Sequence, residues 1–428
     1  MLMEQLYNRY QQSSGIQTDT RALKQGELFF ALKGPHFNGN LFAARALDEG
    51  ASAVVIDEPV LEPSDRVFLL PDALTALQQL AHHHRKQFSI PFIGITGSNG
   101  KTTTKELIHA VLSTQFITFT TKGNLNNHIG VPLTLLSIKK EAQMAIVEMG
   151  ANHQQEIAAY CTIALPTHGI ITNCGKAHLE GFGGVEGIRK GKGELYDHLA
   201  SSNGTAFINS ELEYLRPMAM NIQHKLFYGN QQGNVRTEVL HSSSLLSLEV
   251  VHPQWGKQII STQLVGAYNR ANVEVALCVG DYFGIPFEKM KAAIEAYCPD
   301  NARSQLIQKR SNTIVLDAYN ANPSSMSAAI DNFSNMEGAH KWVCLGGMME
   351  LGEDSLTEHQ LIVQQLQKGK FETVMLVGGD FLRTDHPFLS FANAEDAKTW
   401  LTDHLPEHTL LLIKGSRSMK MEKLLDAL

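Results

Sequence analysis

The stretch GITGSNGKTTTKE, residues 94–106, constrains this chain more than any other. The apolar run PFIGIT leading into it reads as a buried strand, and the pairing of Leu107 with Val111 and of Ile108 with Leu112 predicts a helix after it. A strand, a glycine-rich turn and a helix in that order aim the backbone amides of the turn at an anion on the helix N-terminus. The expected phosphate-binding residues are therefore Gly97, Ser98, Asn99, Gly100, Lys101, Thr102 and Thr103. Lys101 would reach the terminal phosphates, and the Thr102 hydroxyl a magnesium ion. The stretch closes on GKT as a Walker A loop does, but Ile95 stands where the strict pattern has its first glycine, and the glycines fall at 94, 97 and 100. The alternative is a glycine-rich turn with an ordinary surface lysine, although G-x-x-G-K-T-T after an apolar strand rarely occurs without phosphate.

A chain of 428 residues exceeds the roughly 250–300 at which a single core stops growing, so two or three domains are expected. The net charge of -7, with no long basic run, gives no reason to expect a nucleic-acid track or an anionic membrane surface. Cysteines at 161, 174, 278, 298 and 344 form no C-x-x-C pair, and their odd number favours a reducing compartment over a disulfide framework. No apolar stretch approaches the ~18–20 residues of a membrane span, and the start lacks a basic region followed by an apolar core. A soluble, cytoplasmic protein is expected.

Three α/β regions follow along the chain. Residues 1–88 form a small unit with strands at ELFFALKG, AVVI and VFLL, a helix over 72–86, and polar turns at TDTR and GPHFNGN that suit either a polar small molecule or solvent. Residues 89–298 open with the phosphate loop and continue through FITFTT, QMAIVEMG and THGIITNCG, which predicts an ATPase-type parallel sheet followed by alternating β-like segments and the helix NRANVEVALCVGDYF. Residues 299–428 repeat strand, loop and helix four times, at NTIVLDAYNANP, KWVCLGGMMELG, TVMLVGGD and TLLLIKGSRS, the pattern of a doubly wound, Rossmann-like sheet. PDNARS, residues 299–304, reads as the hinge before it.

In open parallel sheets ligands collect beyond the carboxyl ends of the strands, so Glu148, His153 and His178 should converge on the nucleotide. Glu148 ends an apolar strand, where it is either a magnesium ligand or a cap or loop ion pair. His178, in TNCGKAHLEGFGG, is either a metal ligand or a hydrogen-bonded structural residue. Lys192, beside Arg189 and Lys190, belongs to a phosphate-attracting or solvated face, and His82, His83 and His84 to a solvated helix face. No G-x-S-x-G element or zinc-type Cys/His cluster appears, which argues against covalent catalysis.

Six stretches together, TGSNGKTTTKE, TKGNLNNHIGVPLTLL, VEMGANHQQEI, ITNCGKAHLEGFGG, LDAYNANPSSM and LIKGSRSMKME, resemble the Mur ligases of peptidoglycan precursor synthesis. TDTR, GELFFALKG and FNGN are similar to the uridine-nucleotide domain of that family. GNLNN, GANH, YNANP and KGSR resemble the branch that joins D-alanyl-D-alanine to UDP-N-acetylmuramoyl-tripeptide. The resemblance implies a cytoplasmic, monomeric, ATP- and Mg2+-dependent amide ligase working through an acyl phosphate, with no nucleic-acid or membrane partner. It implies Lys101, Glu148, His178 and Lys192 as catalytic residues, with a second magnesium near His178 and Lys192 carried as a carbamate. It further implies nucleotide contacts from Asn269, Asn272, Arg303, Asp317 and Asn320, and uridine-linked substrate contacts from Asp19, Thr20, Arg21, Asn126 and Asn127. The chain departs from the family pattern at Tyr268, where a histidine is usual, at Met348, where an aspartate is common, and before Arg303, where the usual glycine is missing. The rivals are a diamino-acid-adding or folate-type ligase of the same superfamily and a nucleotide-gated regulator. YNANP and GNLNN speak against the first two, and the full set of catalytic residues against the third.

Overall fold

The computed structural model describes residues 2–62, 64–240, 245–299 and 303–428. The expected hinge falls partly on residues 300–302, outside the described residues.

The first unit opens with a helix, Leu2–Gln12, that the sequence reading did not anticipate. Its parallel sheet runs in the order Ile16–Gln17, Leu28–Phe30, Ala53–Ile56, Val67–Leu69. The helix Ala73–Arg85 then closes the unit, its first turn capped by Asp72, whose side chain accepts from the Thr75 amide.

That helix corrects the reading of the histidine triplet. Leu77, Leu80 and Ala81 are buried, and at helical spacing His84 continues their stripe, so it cannot share the solvated face assigned to it. Its Nε2 lies 2.8 Å from the Ile138 carbonyl of the next unit, which makes Nε2 the donor, and its Nδ1 lies 3.1 Å from the Tyr7 hydroxyl. Burial lowers the His84 pKa, so the neutral form is favoured. Next to it Arg85 is 6% exposed and donates to the carbonyls of Ala164, Leu165 and Phe88, with its guanidinium 3.6 Å from the centre of the Phe92 ring. Arg85→Leu strands three carbonyls, and the expected loss is about 2–4 kcal/mol, read as a lower urea midpoint for the first unfolding transition. An unchanged midpoint would show that water replaces the guanidinium without cost.

The central sheet is wholly parallel, in the order His224–Tyr228, Thr205–Asn209, His168–Ile171, Phe92–Thr96, Met144–Glu148, Thr118–Thr120. From Phe92–Thr96 the chain first goes to the edge at Thr118–Thr120 and fills in with Met144–Glu148 on one side, then crosses to build outward on the other. The carboxyl end of that strand is thus the switch point where the flanking loops diverge and leave a crevice. The β-like tract is a three-stranded antiparallel sheet, Arg236–Leu240, Leu245–His252 and Gly256–Val265.

The third unit has six strands in the order Gln305–Lys309, Asn312–Asp317, Thr409–Lys414, His340–Gly346, Thr373–Val377, Leu389–Phe391, with only the first pair antiparallel. Helices Pro323–Asn335, Ser355–Lys368 and Ala394–Asp403 cover it. The fourth expected helix is absent: after Thr409–Lys414 the chain makes 3-10 turns, Arg417–Met419 and Met421–Asp426, on either side of Lys420 at a φ of 53°. Among the described residues no helix is long and apolar enough to cross a membrane. The cysteines are free; Cys161, Cys174, Cys278 and Cys344 are buried and Cys298 is exposed.

Candidate active site

The phosphate loop holds its shape through two glycines. Gly97 has a φ of 145°, and a Cβ there would lie 1.9 Å from the Thr172 hydroxyl; Gly100 has a φ of 79°, and a Cβ there would lie 2.7 Å from Asn272 Oδ1. Only glycine satisfies both the backbone and the space. The helix Lys101–Leu112 starts at once, with Leu107, Ile108, Val111 and Leu112 buried as their spacing requires. Asn272 accepts from the Thr104 hydroxyl at 3.0 Å and donates to Asn269 Oδ1 at 2.8 Å, and Asn269 donates to the Val265 carbonyl at 2.8 Å. The two asparagines therefore brace the loop from behind as well as bordering the crevice.

Glu148 is 1% exposed and fully engaged. One carboxylate oxygen accepts from the Thr102 hydroxyl at 2.9 Å, the other from Asn126 Nδ2 at 2.7 Å, and its amide donates to the Thr121 hydroxyl at 3.0 Å. Hydroxyl and carboxylate thus stand side by side at the head of the helix, a donor set that suits magnesium completed by phosphate oxygens and water. Lys101 Nζ donates to the Gly97 carbonyl at 2.6 Å. Burial lowers its pKa, Glu148 opposes the shift and Arg303 adds to it.

A cavity of about 820 Å3 gathers most of the expected residues: 98–103, Asn126, Asn127, Glu148, His178, Asn269, Asn272, Arg303, Asp317 and Asn320. Most come from the carboxyl ends of strands in the central and third sheets or from the segments just after them, whereas Asn269 and Asn272 follow the antiparallel sheet and Arg303 precedes the first strand of the third. Gly97 does not line this cavity. Asp19, Thr20 and Arg21 line neither this cavity nor its neighbour of about 610 Å3; Arg21 is tied to Asp19 at 2.7 Å on the surface of the first unit. His153 also stays outside both, 3.7 Å from Glu156.

Lys192 is not on a solvated face, which corrects the reading from its neighbours. It is 1% exposed on the inner side of the helix Val185–Ser201, its Nζ has no hydrogen-bond partner among the described residues, and that atom sits 4.9 Å from the centre of the Phe182 ring. Burial, then the nearby Lys101 charge, push its pKa down to about 7. A neutral amine is the form that carbon dioxide converts to a carbamate, and a pKa near 7 leaves a substantial neutral fraction at neutral pH, so the residue fits that modification. His178 has a left-handed φ of 55° and its Nδ1 forms an ion pair with Glu350 of the third unit, although the geometry falls short of a hydrogen bond. Among the described residues no group of three or more His, Cys, Asp and Glu gathers as a ready metal cage, so any ion here relies on ligands from its substrates as well.

Several residues at the crevice escaped the sequence reading. Lys414, 1% exposed, pairs with Asp317 at 2.5 Å, and the two are register partners on adjacent strands. The signal was the one used for Glu148, a charged residue closing an apolar strand. Tyr268 hydrogen-bonds the Ser304 hydroxyl at 2.8 Å, and the Ser304 amide donates to Asp317 Oδ1 at 3.2 Å, so the residue that departs from the family pattern links the central and third units. Met348 is a core residue, 2% exposed, and does not face the crevice. Asn322 Nδ2 to Asn99 Oδ1 at 2.8 Å, and the Lys176 amide to the Ser324 hydroxyl at 2.9 Å, add to the junction.

A phosphate loop at a switch point, a hydroxyl–carboxylate pair beside it and a second parallel sheet closing the crevice match known proteins in three stretches. These are "Mur ligase family, catalytic domain" over residues 12–85, "Mur ligase middle domain" over 95–280 and "Mur ligase, glutamate ligase domain" over 302–417. The chain belongs to the Mur ligase family. It is 35% identical to the UDP-N-acetylmuramoyl-tripeptide--D-alanyl-D-alanine ligase of Bacillus subtilis, over 97% of this chain and 93% of that one. Its fold matches a crystal structure of MurF from Acinetobacter baumannii, with a TM-score of 0.88, 30% identity, and 99% and 97% of the two chains covered. It likewise matches MurF from Thermotoga maritima in complex with ADP, with a TM-score of 0.87, 26% identity, and 98% and 97% covered.

Proposed function

We propose that this protein is an ATP-dependent ligase that joins D-alanyl-D-alanine to UDP-N-acetylmuramoyl-tripeptide, giving the pentapeptide precursor of peptidoglycan. The observation that carries this reading is the convergence of Lys101, Thr102, Glu148, His178, Arg303 and Asp317, from two units, on one cavity. Full-length likeness to ligases of that name supports the choice of substrates.

The tripeptide carboxylate must approach a triphosphate, and each pair of like charges at 4 Å costs about 4 kcal/mol at an effective dielectric of 20. Lys101 and Arg303 bring positive charge to that point, and the loop amides hold the phosphates in line. Magnesium held by Thr102 and Glu148 would neutralise phosphate oxygens, and a second ion would sit with His178 and carbamylated Lys192. Asn269 and Asn272 keep the loop in place, while Asp317, fixed by Lys414 and the Ser304 amide, and Asn320 face the nucleotide from the third unit. Asp19, Thr20 and Arg21 would meet the uridine-linked end. Asn126 and Asn127 would meet the substrate nearer the reaction. In this reading residues 1–88 bind the uridine nucleotide, 89–298 bind ATP and 299–428 bring the acceptor. The protein acts as a cytoplasmic monomer without nucleic-acid or membrane partners.

Phosphate release is expected to require both the tripeptide nucleotide and the dipeptide. ADP formation measured across a panel of UDP-muramoyl peptides and dipeptides checks this. Release at the full rate without dipeptide would contradict ligation.

A further inference from the structure

Beside the phosphate loop lies the second cavity, of about 610 Å3, which shares Thr102, His178 and Arg303 with the first and adds Glu106, Glu350 and Arg417. Apart from the His178–Glu350 contact, its charged groups are not paired with one another across it. The guanidiniums of Arg303 and Arg417 lie over the Tyr319 ring, 3.6 and 5.9 Å from its centre, and the carboxylate nearest Arg417 is that of Glu422, at 3.6 Å. Glu106 is held by the buried Lys105 at 2.8 Å. Among the described residues no lysine or arginine holds Glu350, whose ion-pair partner is the His178 imidazole. A cavity with separated positive and negative groups suits a small zwitterion, and the Glu350 carboxylate, held by a histidine and by no lysine or arginine among the described residues, lies next to the residues expected around the acyl phosphate.

The backbone points the same way. Glu350 has a φ of 62° and His178 a φ of 55°. A left-handed conformation costs a residue other than glycine about 1–2 kcal/mol. Strain on both partners of one contact between units is retained where it fixes side chains for function.

We propose that Glu350 binds the ammonium of the incoming dipeptide and sets that nitrogen beside His178, facing the acyl group. This rests on the ligase reading above. Glu350 binds charge here and takes part in no covalent step.

The test compares the full-length wild type with Glu350→Gln, using D-alanyl-D-alanine as substrate and, as competitive inhibitor, the analogue whose amine is replaced by hydroxyl. Losing a charge-assisted hydrogen bond should raise the KM for the dipeptide about 10- to 100-fold, with the KM values for ATP and the tripeptide nucleotide within about twofold. The inhibition constant of the uncharged analogue should be the same in both proteins. Glu350→Asp, which keeps the charge, should recover part of the dipeptide affinity and also serves if the glutamine variant folds poorly. If wild-type turnover needs the dipeptide but Glu350→Gln lowers kcat alone, or weakens both ligands equally, Glu350 only positions His178 and the proposal is overturned. If wild-type phosphate release ignores the dipeptide, the ligase reading itself fails and the role of Glu350 with it.

Discussion

Glu148→Gln is expected to slow phosphate release by about a thousandfold or more, since the charge that holds a divalent cation supplies several kcal/mol at roughly 1.4 kcal/mol per factor of ten. The size of the effect follows from how few ligands the chain offers. Among the described residues no group of three or more His, Cys, Asp and Glu gathers that could share the lost charge. Glutamine keeps the volume of the side chain and can still accept from Asn126 or Thr102, so the fold should survive. The measurement is ADP formation at saturating substrates over a range of magnesium concentrations, with a thermal melt alongside. Activity above about a tenth of wild type, with an unchanged magnesium requirement, would remove Glu148 from the metal site.

Lys192→Ala is expected to lose about two to three orders of magnitude in kcat and to regain part of it with added formate, acetate or propionate, because an anion facing the second metal can be supplied from solution. The argument starts from the unpaired Nζ in a buried site. A permanently protonated amine there would carry an unpartnered charge, a costly arrangement. Burial lowers its pKa to about 7, leaving a large neutral fraction at neutral pH to combine with carbon dioxide and release a proton. The charge then changes from none to negative, and Lys101, which repels the protonated amine, attracts the carbamate. Rescue is the decisive measurement. A variant with normal activity would remove the carbamate, and a dead variant that no carboxylic acid revives would leave Lys192 a packing residue.

Features written into local backbone chemistry were legible in the sequence. Gly97 and Gly100 are glycines because Thr172 and Asn272 occupy the space a side chain would need, and the strand, turn and helix around them follow from apolar spacing. Glu148 was legible because an apolar strand delivers its last residue to one edge of a parallel sheet. What escaped depends on which elements meet. The His84 stripe was present at 77, 80, 81 and 84, but its partners, Tyr7 and Ile138, come from two other elements. Lys192 looked solvated because its sequence neighbours are charged, whereas helical rotation turns it inward, away from Lys190. Glu350 and Lys414 were inside quoted stretches yet gained meaning only when the third sheet was set against the first loop. The last expected helix failed because the segment after Lys414 continues as 3-10 turns, with Lys420 interrupting at a positive φ.

The crevice is bounded by two parallel sheets that each turn the same edge toward it, one ending in Thr96, Glu148 and Ile171, the other in Asp317, Gly346 and Lys414. Each rim can therefore be rewritten without disturbing the packing beneath it. In the proposed ligase reading the first rim handles the triphosphate together with Asp317 and Asn320 of the second, while the connections after Gly346 and Lys414, which carry Glu350 and Arg417, meet the nucleophile. Exchanging the short connections after Gly346 and Lys414 should redirect the protein to a different amine while leaving its handling of triphosphate intact.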